Sequence, residues 1–373
     1  MPTASSRPAR KQVTVLLGDH RLPDLTKRGG RFLDEDFTTI RELKQALARM
    51  PSYAFRYLDR HGRMLADLGR RPPALVLNLC DNGLMNDPGR EWEVAEALES
   101  LGVPYTGAGP LAMRRCYDKT LTTELAAKAG IPVPRQIAVA SAAEARPDTW
   151  DYPALIKPNE GDGSVAITRQ ALVRNAAEAR AYVDFLAAQR PGRPFLVQEF
   201  LSGAEYTLAT LGNGKTLRVL PPLATDFSRL PPGLPHILCF EAKAVPDSPY
   251  WSGVRYDEAK LAPRARRNLE DMAAELARVL DLRDYSRIDF RAGADGTIKL
   301  LEANPNPAWA YDSKLVMMAR LAGYDYAGLL GQIIAAAELR LGLRAPPRRS
   351  PRPVRKPRPA ARVRTGPRPS PRR

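Results

Sequence analysis

The chain has 373 residues, 44% of them hydrophobic, a formal net charge of +16 and three cysteines. That length exceeds what one compact core supports and points to two or three domains. No apolar run approaches the ~20 residues of a membrane span, residues 13–17 are too short for a signal-peptide core, and Cys80, Cys116 and Cys239 are too few for a disulfide framework, so a reducing cytoplasm is the expected setting.

In chain order, residues 13–17 read as a buried strand ending at Gly18, followed by a helix over 38–50. Residues 74–79 form a second apolar strand leading into a loop rich in Asp, Asn and Gly. A helix over 91–101 with apolar positions 92, 95, 98 and 101 stops at Gly102, and 103–107 begins another short strand. Strand and helix in alternation predict a parallel α/β first domain.

A second unit opens near Asp118, with a helix over 119–129 stopped by Gly130. Residues 153–158 read as a strand carrying Lys157 near its end, and a glycine-rich loop over 159–164 precedes a returning strand over 165–167. Glycines there would let backbone N–H groups approach phosphate oxygens while Lys157 supplies a point charge; a plain hairpin turn is the alternative. Residues 195–201 and 202–208 read as two further strands on which an adenine ring could lie, with solvated edge-strand acids as the alternative. A helix over 262–280 has one apolar stripe.

Residues 287–291 and 299–307, joined by the turn Ala294-Asp295-Gly296-Thr297, read as a hairpin. With Gly293 opposite Ile298, the index sum of 591 sets Asp289 opposite Glu302 and Arg287 opposite Asn304. A side-chain period of two then brings all four to one face. Two carboxylates and an amide oxygen are the donors a hard divalent cation takes alongside phosphate oxygens; an acidic hairpin with a cross-strand ion pair is the bland alternative.

Residues 345–373 contain ten Arg, one Lys, nine Pro and no acid, so the rest of the chain carries 16 − 11 = +5. Such a segment cannot build a core and is expected to be disordered. It reads either as a terminal extension or as a polyelectrolyte arm for nucleic acid or another polyanion. The three histidines, His20, His61 and His236, are expected to be structural or solvated.

These motifs, taken in order, resemble the ATP-grasp superfamily, and most closely its D-alanine–D-alanine ligase branch. The resemblance runs over about residues 75–341. It is carried by Asn78-Leu79, Pro104-Tyr105-Thr106-Gly107, Asp118-Lys119 with Pro132 and Pro134, and Leu155-Ile156-Lys157-Pro158. Glu199-Phe200-Leu201-Ser202-Gly203-Ala204-Glu205, Phe240-Glu241-Ala242-Lys243, Arg287-Ile288-Asp289 and Leu301-Glu302-Ala303-Asn304-Pro305 complete it. It implies an α/β N-terminal domain (1–115) followed by two α+β domains clasping ATP (116–205 and 206–342), with the basic tail beyond 343.

The resemblance also implies roles. Lys119 and Lys157 would hold ATP phosphates, with Gly163 and Ser164 on the loop closing over them. Gln198 would face the adenine amino group, backbone groups of Glu199 and Leu201 would read the ring edge, and Glu205 would bind the ribose. Lys243 would reach the terminal phosphate. Asp289, Glu302 and Asn304 would hold two Mg²⁺ ions, replaceable by Mn²⁺, and Arg287 would steady the carboxylate and the tetrahedral intermediate. The implied enzyme phosphorylates a carboxylate with ATP and lets an amine attack the acyl phosphate. It would take small amino acids or peptides, in the cytoplasm, as a monomer or homodimer. A strict D-alanine–D-alanine ligase and a non-catalytic nucleotide- or nucleic-acid-binding protein are the alternatives.

Several positions depart from the branch. Its phosphate loop usually reads Glu-Gly-Ser-Ser, against Gly161-Asp162-Gly163-Ser164 here. Its N-terminal Glu loop is poorly matched by Lys27-Arg28-Gly29-Gly30-Arg31, and its substrate region is altered at Ala244, Ala308 and Trp309. A substrate bulkier than D-alanine is therefore expected, with Trp309 lining its pocket.

Overall fold

The computed structural model describes residues 10–345 apart from Leu25, Asp162, Gly163 and Val165. The basic tail thus lies almost wholly outside the described residues. Three sheets follow one another along the chain. The first contains β1 (Lys11–Leu16), β2 (Tyr53–Leu58) and β3 (Leu75–Asn78), all parallel in the order β2-β1-β3. Its helices are α1 (Asp34–Ala48), α2 (His61–Arg70), α3 (Glu91–Ser100) and α4 (Pro110–Tyr117). The strands are apolar on both faces because both are covered, as parallel sheets require. Val13, Val15, Leu75 and Leu77 enter one core with Leu43 and Leu47, while Leu16 and Val76 enter another with Leu68, Leu98 and Met113.

The second sheet is antiparallel, in the order β4 (Gln136–Val139), β7 (Phe195–Glu199), β5 (Ala154–Pro158), β6 (Leu172–Val173). It follows α5 (Lys119–Lys128), and α6 (Ala176–Gln189) covers one of its faces. Ala154, Ile156 and Val197 pack under α6 with Tyr182 and Leu186. Alternation therefore sends Leu155, Lys157 and Gln198 to the opposite, uncovered face.

The third sheet runs β11 (Arg255–Glu258), β10 (Leu223–Asp226), β8 (Glu205–Leu211), β12 (Tyr285–Ala292), β13 (Ile298–Asn304), with β9 (Arg218–Val219) paired to β8. Short helices α7 (Glu241–Ala244) and α8 (Pro249–Gly253) precede it on one side, and α9 (Pro263–Val279) covers one face. Leu208, Ile288, Phe290, Leu300 and Ala303 pack there with Leu269 and Leu276. The other face is divided. At one end Ala209, Leu211 and Tyr285 join the core of the first sheet together with α10 (Lys314–Leu321) and α11 (Tyr326–Arg340). At the other end no helix among the described residues lies flat over it, and it faces the open side of the second sheet across a cavity.

The structure corrects several expectations. The segment 103–107 adds only a single parallel bridge, Tyr105 to Val76. The strand expected over 165–167 begins on Val165, outside the described residues; Ser164 and Ala166 on either side of it have left-handed φ of 61° and 58°, and the next strand among the described residues is β6. α3 buries Glu91, Val94, Ala95 and Leu98, while Leu101 is exposed. β2, α2, α4, α6, α10 and α11 carry no signal that the periodicity reading used. Trp309 does not line the cavity. It is buried in the core shared by the first and third sheets, its Nε1 donating to Leu79 O (2.8 Å) and Asp81 Oδ1 (3.2 Å).

Trp309 therefore acts in packing. Trp309→Ala is expected to lower stability by about 3–5 kcal/mol, the usual cost of emptying an aromatic core site. Trp309→Phe, which loses the indole hydrogen bonds but little volume, should lower it by about 1–2 kcal/mol. Denaturant unfolding of both variants checks this; an unaffected Trp309→Ala variant would return the residue to the surface.

Candidate active site

The cavity has a volume of about 470 Å³. Its floor is the uncovered end of the third sheet, where cross-strand register sets the side chains in rows. Tyr256, Thr225, Glu205 and Arg291 are successive partners across β11, β10, β8 and β12. Thr207, Asp289 and Glu302 form the next row, and Arg287 and Asn304 the one after.

The hairpin reaches this arrangement by a route different from the one expected. Ala292, not Gly293, lies opposite Ile298, so pairing near the turn has an index sum of 590. A β-bulge between Asp289 and Phe290 on the partner strand then inserts Leu301 as an unpaired residue and raises the sum to 591. Leu301 and Glu302 both face the cavity, while Leu300 and Ala303 on either side of them enter the core under α9.

Asp289 is held from three sides. Its Oδ1 accepts from Thr207 Oγ1 (2.7 Å), and its Oδ2 accepts from Arg287 Nε (3.1 Å) and Asn304 Nδ2 (3.3 Å). Burial alone would raise this carboxyl, but Arg287, Lys314 and the Thr207 hydrogen bond outweigh it and keep it below the ordinary range. Asn304 stands behind Asp289 with its amide nitrogen turned to it. No hydrogen bond or ion pair holds the Glu302 carboxylate among the described residues. Two carboxylates and an amide oxygen are too few to close a cage around an ion. They could hold a hard cation that completes its shell with phosphate or water oxygens.

The opposite wall carries the lysines. Lys157 Nζ donates to Gln198 Oε1 (3.1 Å), whose Nε2 donates to Gln136 Oε1 (3.0 Å). Lys119 Nζ donates to Gly161 O. Burial, with repulsion from Lys119, pushes the Lys157 ammonium down to about 8, only partly offset by Glu302. Lys243 borders the cavity from α7, and Ser164 donates to Leu238 O (3.1 Å), joining the loop after β5 to the segment before α7. Gly163 lies outside the described residues.

The adenine-side expectations meet mixed geometry. Glu199 N donates to Arg135 O, whereas Leu201 N–H has no backbone acceptor among the described residues. The Glu199 carboxylate is taken by Lys299 and by Arg135 Nε (3.2 Å). Glu205 is buried against Arg291 at 3.2 Å; desolvation raises its carboxyl despite that cation and Lys314. Arg291 was missed although it lies two residues after Asp289, so continuing the period-two alternation would have found it. Lys314 and Tyr256 also border the cavity and carried no sequence signal.

One further contact bears on nucleophilic chemistry. Cys80 Sγ lies 3.5 Å from His61 Nε2, both buried. His61 Nδ1 accepts from Met85 N (2.8 Å), so the proton sits on Nε2 and points to Leu17 O (3.0 Å). The ring has no free basic nitrogen for the thiol, which burial holds well above its ordinary pKa. This pair is structural.

A family model described as D-ala D-ala ligase C-terminus matches residues 125–335. A D-alanine–D-alanine ligase of Bordetella petrii is 30% identical over 251 residues, spanning 67% of this chain and 72% of the relative. The chain belongs to the D-alanine–D-alanine ligase family. Uncharacterized protein y4sG of Sinorhizobium fredii is similar too, 29% identical over 273 residues, 72% of this chain and 76% of that protein. The solved D-alanine–D-alanine ligase of Bacillus anthracis superposes with a TM-score of 0.68 at 20% identity, covering 89% of this chain and 98% of that one. The VanG D-Ala:D-Ser ligase of Enterococcus faecalis gives 0.66 at 17%, covering 88% and 100%. The fold is thus the ATP-grasp fold, and this ligase is an ATP-dependent carboxylate–amine ligase. No helix among the described residues is long and apolar enough to cross a membrane.

The buried ammonium of Lys157 has a consequence for the free ligase. Its pKa falls from 10.5 to about 8, so between those values the unfolded chain binds more protons than the folded one and stability rises with pH. Lys157→Met is expected to be about 1–3 kcal/mol more stable at pH 7, with a shallower rise towards pH 10. Urea unfolding at the two pH values checks this. A variant no more stable and with an unchanged slope would mean that the ammonium is well hydrated.

Proposed function

We propose that this ligase uses ATP and Mg²⁺ to join the carboxylate of one amino acid or peptide to the amine of another, in the cytoplasm. Lys119 and Lys157 hold the phosphates, Lys243 reaches the terminal one, and Ser164 with its loop closes over them. Leu201 N–H and backbone groups of Glu199 read the adenine edge, Gln198 faces its amino group, and Leu301 supplies an apolar contact. Glu205, beside Arg291 at 3.2 Å, accepts from ribose hydroxyls. Asp289, Glu302 and Asn304 would hold Mg²⁺, which, when bound, screens charge building up on the transferring phosphoryl group.

A substrate carboxylate oxygen attacks the terminal phosphorus and the bond to the bridging oxygen breaks, releasing ADP. The amine then attacks the acyl carbon, inorganic phosphate leaves with the C–O electron pair, and the amine proton passes to solvent. Arg287, whose Nε donates to Asp289, lies on the same face of the hairpin and would steady the oxyanion of the tetrahedral intermediate. The route needs no protein nucleophile, in keeping with the structural Cys80–His61 pair. The observation that carries the reading is the bulged hairpin face, on which Asp289, Glu302 and Arg287, with Asn304 behind Asp289, border the same cavity as Lys119 and Lys157.

Phosphate release from ATP, measured over a matrix of D- and L-amino acids and short peptides, tests this. Release that depends on a carboxylate–amine pair and on Mg²⁺ is expected, with Glu302→Gln keeping the unfolding midpoint and losing turnover by about 10²-fold or more. Unchanged Mg²⁺-dependent turnover in Glu302→Gln would remove the metal assignment.

A further inference from the structure

Away from the cavity the charge of the chain is unevenly placed. Residues 41–71 carry eight Lys and Arg against three acids, 8 − 3 = +5. The chain without its tail carries +5 in all, so residues 1–40 and 72–344 together sum to zero. The excess belongs to one stretch, running from α1 through β2 and α2, and to the tail, which adds eleven positive charges and no acid.

The fold gathers that stretch at one margin of the first sheet. β2 is an edge strand, and α1 and α2 pack on the two faces of the sheet. Leu43 and Leu47 enter the core with Val13 and Val15, and Leu68 the one with Leu16 and Val76. Burying those stripes turns the polar sides of both helices outward, so seven of the eight cations are exposed and Arg56 alone is half-buried. Lys44 reaches over the edge strand, its Nζ 5.0 Å from the centroid of the Tyr57 ring. Some of these cations have an acid, as Arg49 has Asp325 at 2.8 Å. Among the described residues no carboxylate oxygen lies within 4 Å of Arg41, Lys44, Arg60 or Arg71.

The tail departs from the same margin. The three strands are parallel and begin at one end of the sheet, and α1 and α2 return to that end, just before β2 and β3. α11 finishes there as well. Lys11 at the start of β1 donates to Leu343 O (3.1 Å), and Tyr53 at the start of β2 donates to Glu338 (3.0 Å). Residue 345, where the basic segment begins, follows Leu343 by two positions. Two sets of like charges are thus brought together by the end of one helix, an arrangement that repels itself until a polyanion lies between them.

None of the margin cations borders the cavity, so the nucleotide of the ligase reaction is not that polyanion. Seven of the eight cations at the margin and ten of the eleven in the tail are Arg. A guanidinium forks onto phosphate oxygens and stacks on unpaired bases, which an ammonium does not. A lipid surface attracts Lys and Arg alike and is held by apolar anchors, and no large apolar side chain within 41–71 is exposed. We infer that the margin formed by α1, β2 and α2 acts with the basic tail as a binding surface for single-stranded nucleic acid. The surface goes beyond the ligase reading and does not depend on it.

Fluorescence anisotropy of a short mixed-sequence single-stranded RNA, titrated over a range of salt, tests this with the full chain and two full-length variants. One variant carries Lys44→Gln, Arg60→Gln and Arg71→Gln, and the other has the ten tail arginines replaced by Gln. Wild type is expected to bind with an affinity that falls steeply with salt. Each phosphate contact on a single strand contributes about 0.7 to the slope of log Kd against log salt, so the margin variant should lose about 2 from that slope. It should also bind at least tenfold more weakly at low salt with its unfolding midpoint unchanged, and the tail variant should lose more. A wild type that does not bind at low salt overturns the surface. A margin variant with the wild-type slope overturns the part given to α1, β2 and α2, and a tail variant with that slope overturns the part given to the tail. Tighter binding at equal salt to duplex DNA or to phosphatidylglycerol vesicles overturns the choice of a single strand.

Discussion

A strand offers its side chains alternately to two faces, and β13 has to satisfy two incompatible environments at once. Under α9 it packs against Leu269, Leu276 and Phe290; on the other side it faces the polar cavity. In unbroken alternation, the parity that buries Leu300 would also turn Glu302 and Asn304 into that apolar core, where an unpaired carboxylate costs several kcal/mol or must be neutralised. The unpaired Leu301 resolves the conflict by resetting the alternation within one residue. Leu300 and Ala303 stay in the core, and Leu301, Glu302 and Asn304 turn to the other side. The acidic row depends on this single inserted residue.

The cavity is electrostatically unfinished in the free protein. Some of its charges neutralise one another, as Arg291 does Glu205, and these pairs fix the floor rigidly. Among the described residues Lys157 donates to a neutral amide, and Lys314 lies over an aromatic ring. Both ammonium groups are shifted towards the neutral form by lost hydration. A fold optimised for stability alone would place methionine or leucine at such positions. Their persistence is better explained by anions that arrive with the substrates.

Much of this site was legible from local patterns. Cross-strand pairing of Asp289 with Glu302 follows from counting along a hairpin, and the motif order led to the family. The counting succeeded although its starting pair was off by one, because the bulge contributed the missing step; a bulge has no reliable signature in Leu300-Leu301-Glu302. β2 escaped notice because all six of its residues are half-buried, leaving no alternation to read, and α2 carries Gly62 and Gly69. Lys314 and Tyr256 meet only through tertiary packing of α10 on the edge of the third sheet. The resemblance sets Trp309 in the branch's substrate region, yet only its neighbour Ala308 borders the cavity, while the indole turns to Leu79. A position matched by motif order can still turn its side chain into the core instead of the pocket.

The core beneath the first sheet is completed by the last helix of the described chain. Lys11 on β1 pairs with Glu338 on α11 at 2.8 Å, and Tyr53 on β2 donates to the same carboxylate at 3.0 Å. Leu330, Ile333 and Ile334 cover Val13, Val15 and Leu77. During translation this face of the first sheet therefore has only α1 to cover it until α11 has been made. The rest of that apolar face waits for a partner more than three hundred residues further along the chain, a long-range closure that slows folding and leaves the face open to misassociation meanwhile. Assembly of the catalytic cleft and completion of the core under the first sheet thus both wait for the segment that carries α10 and α11.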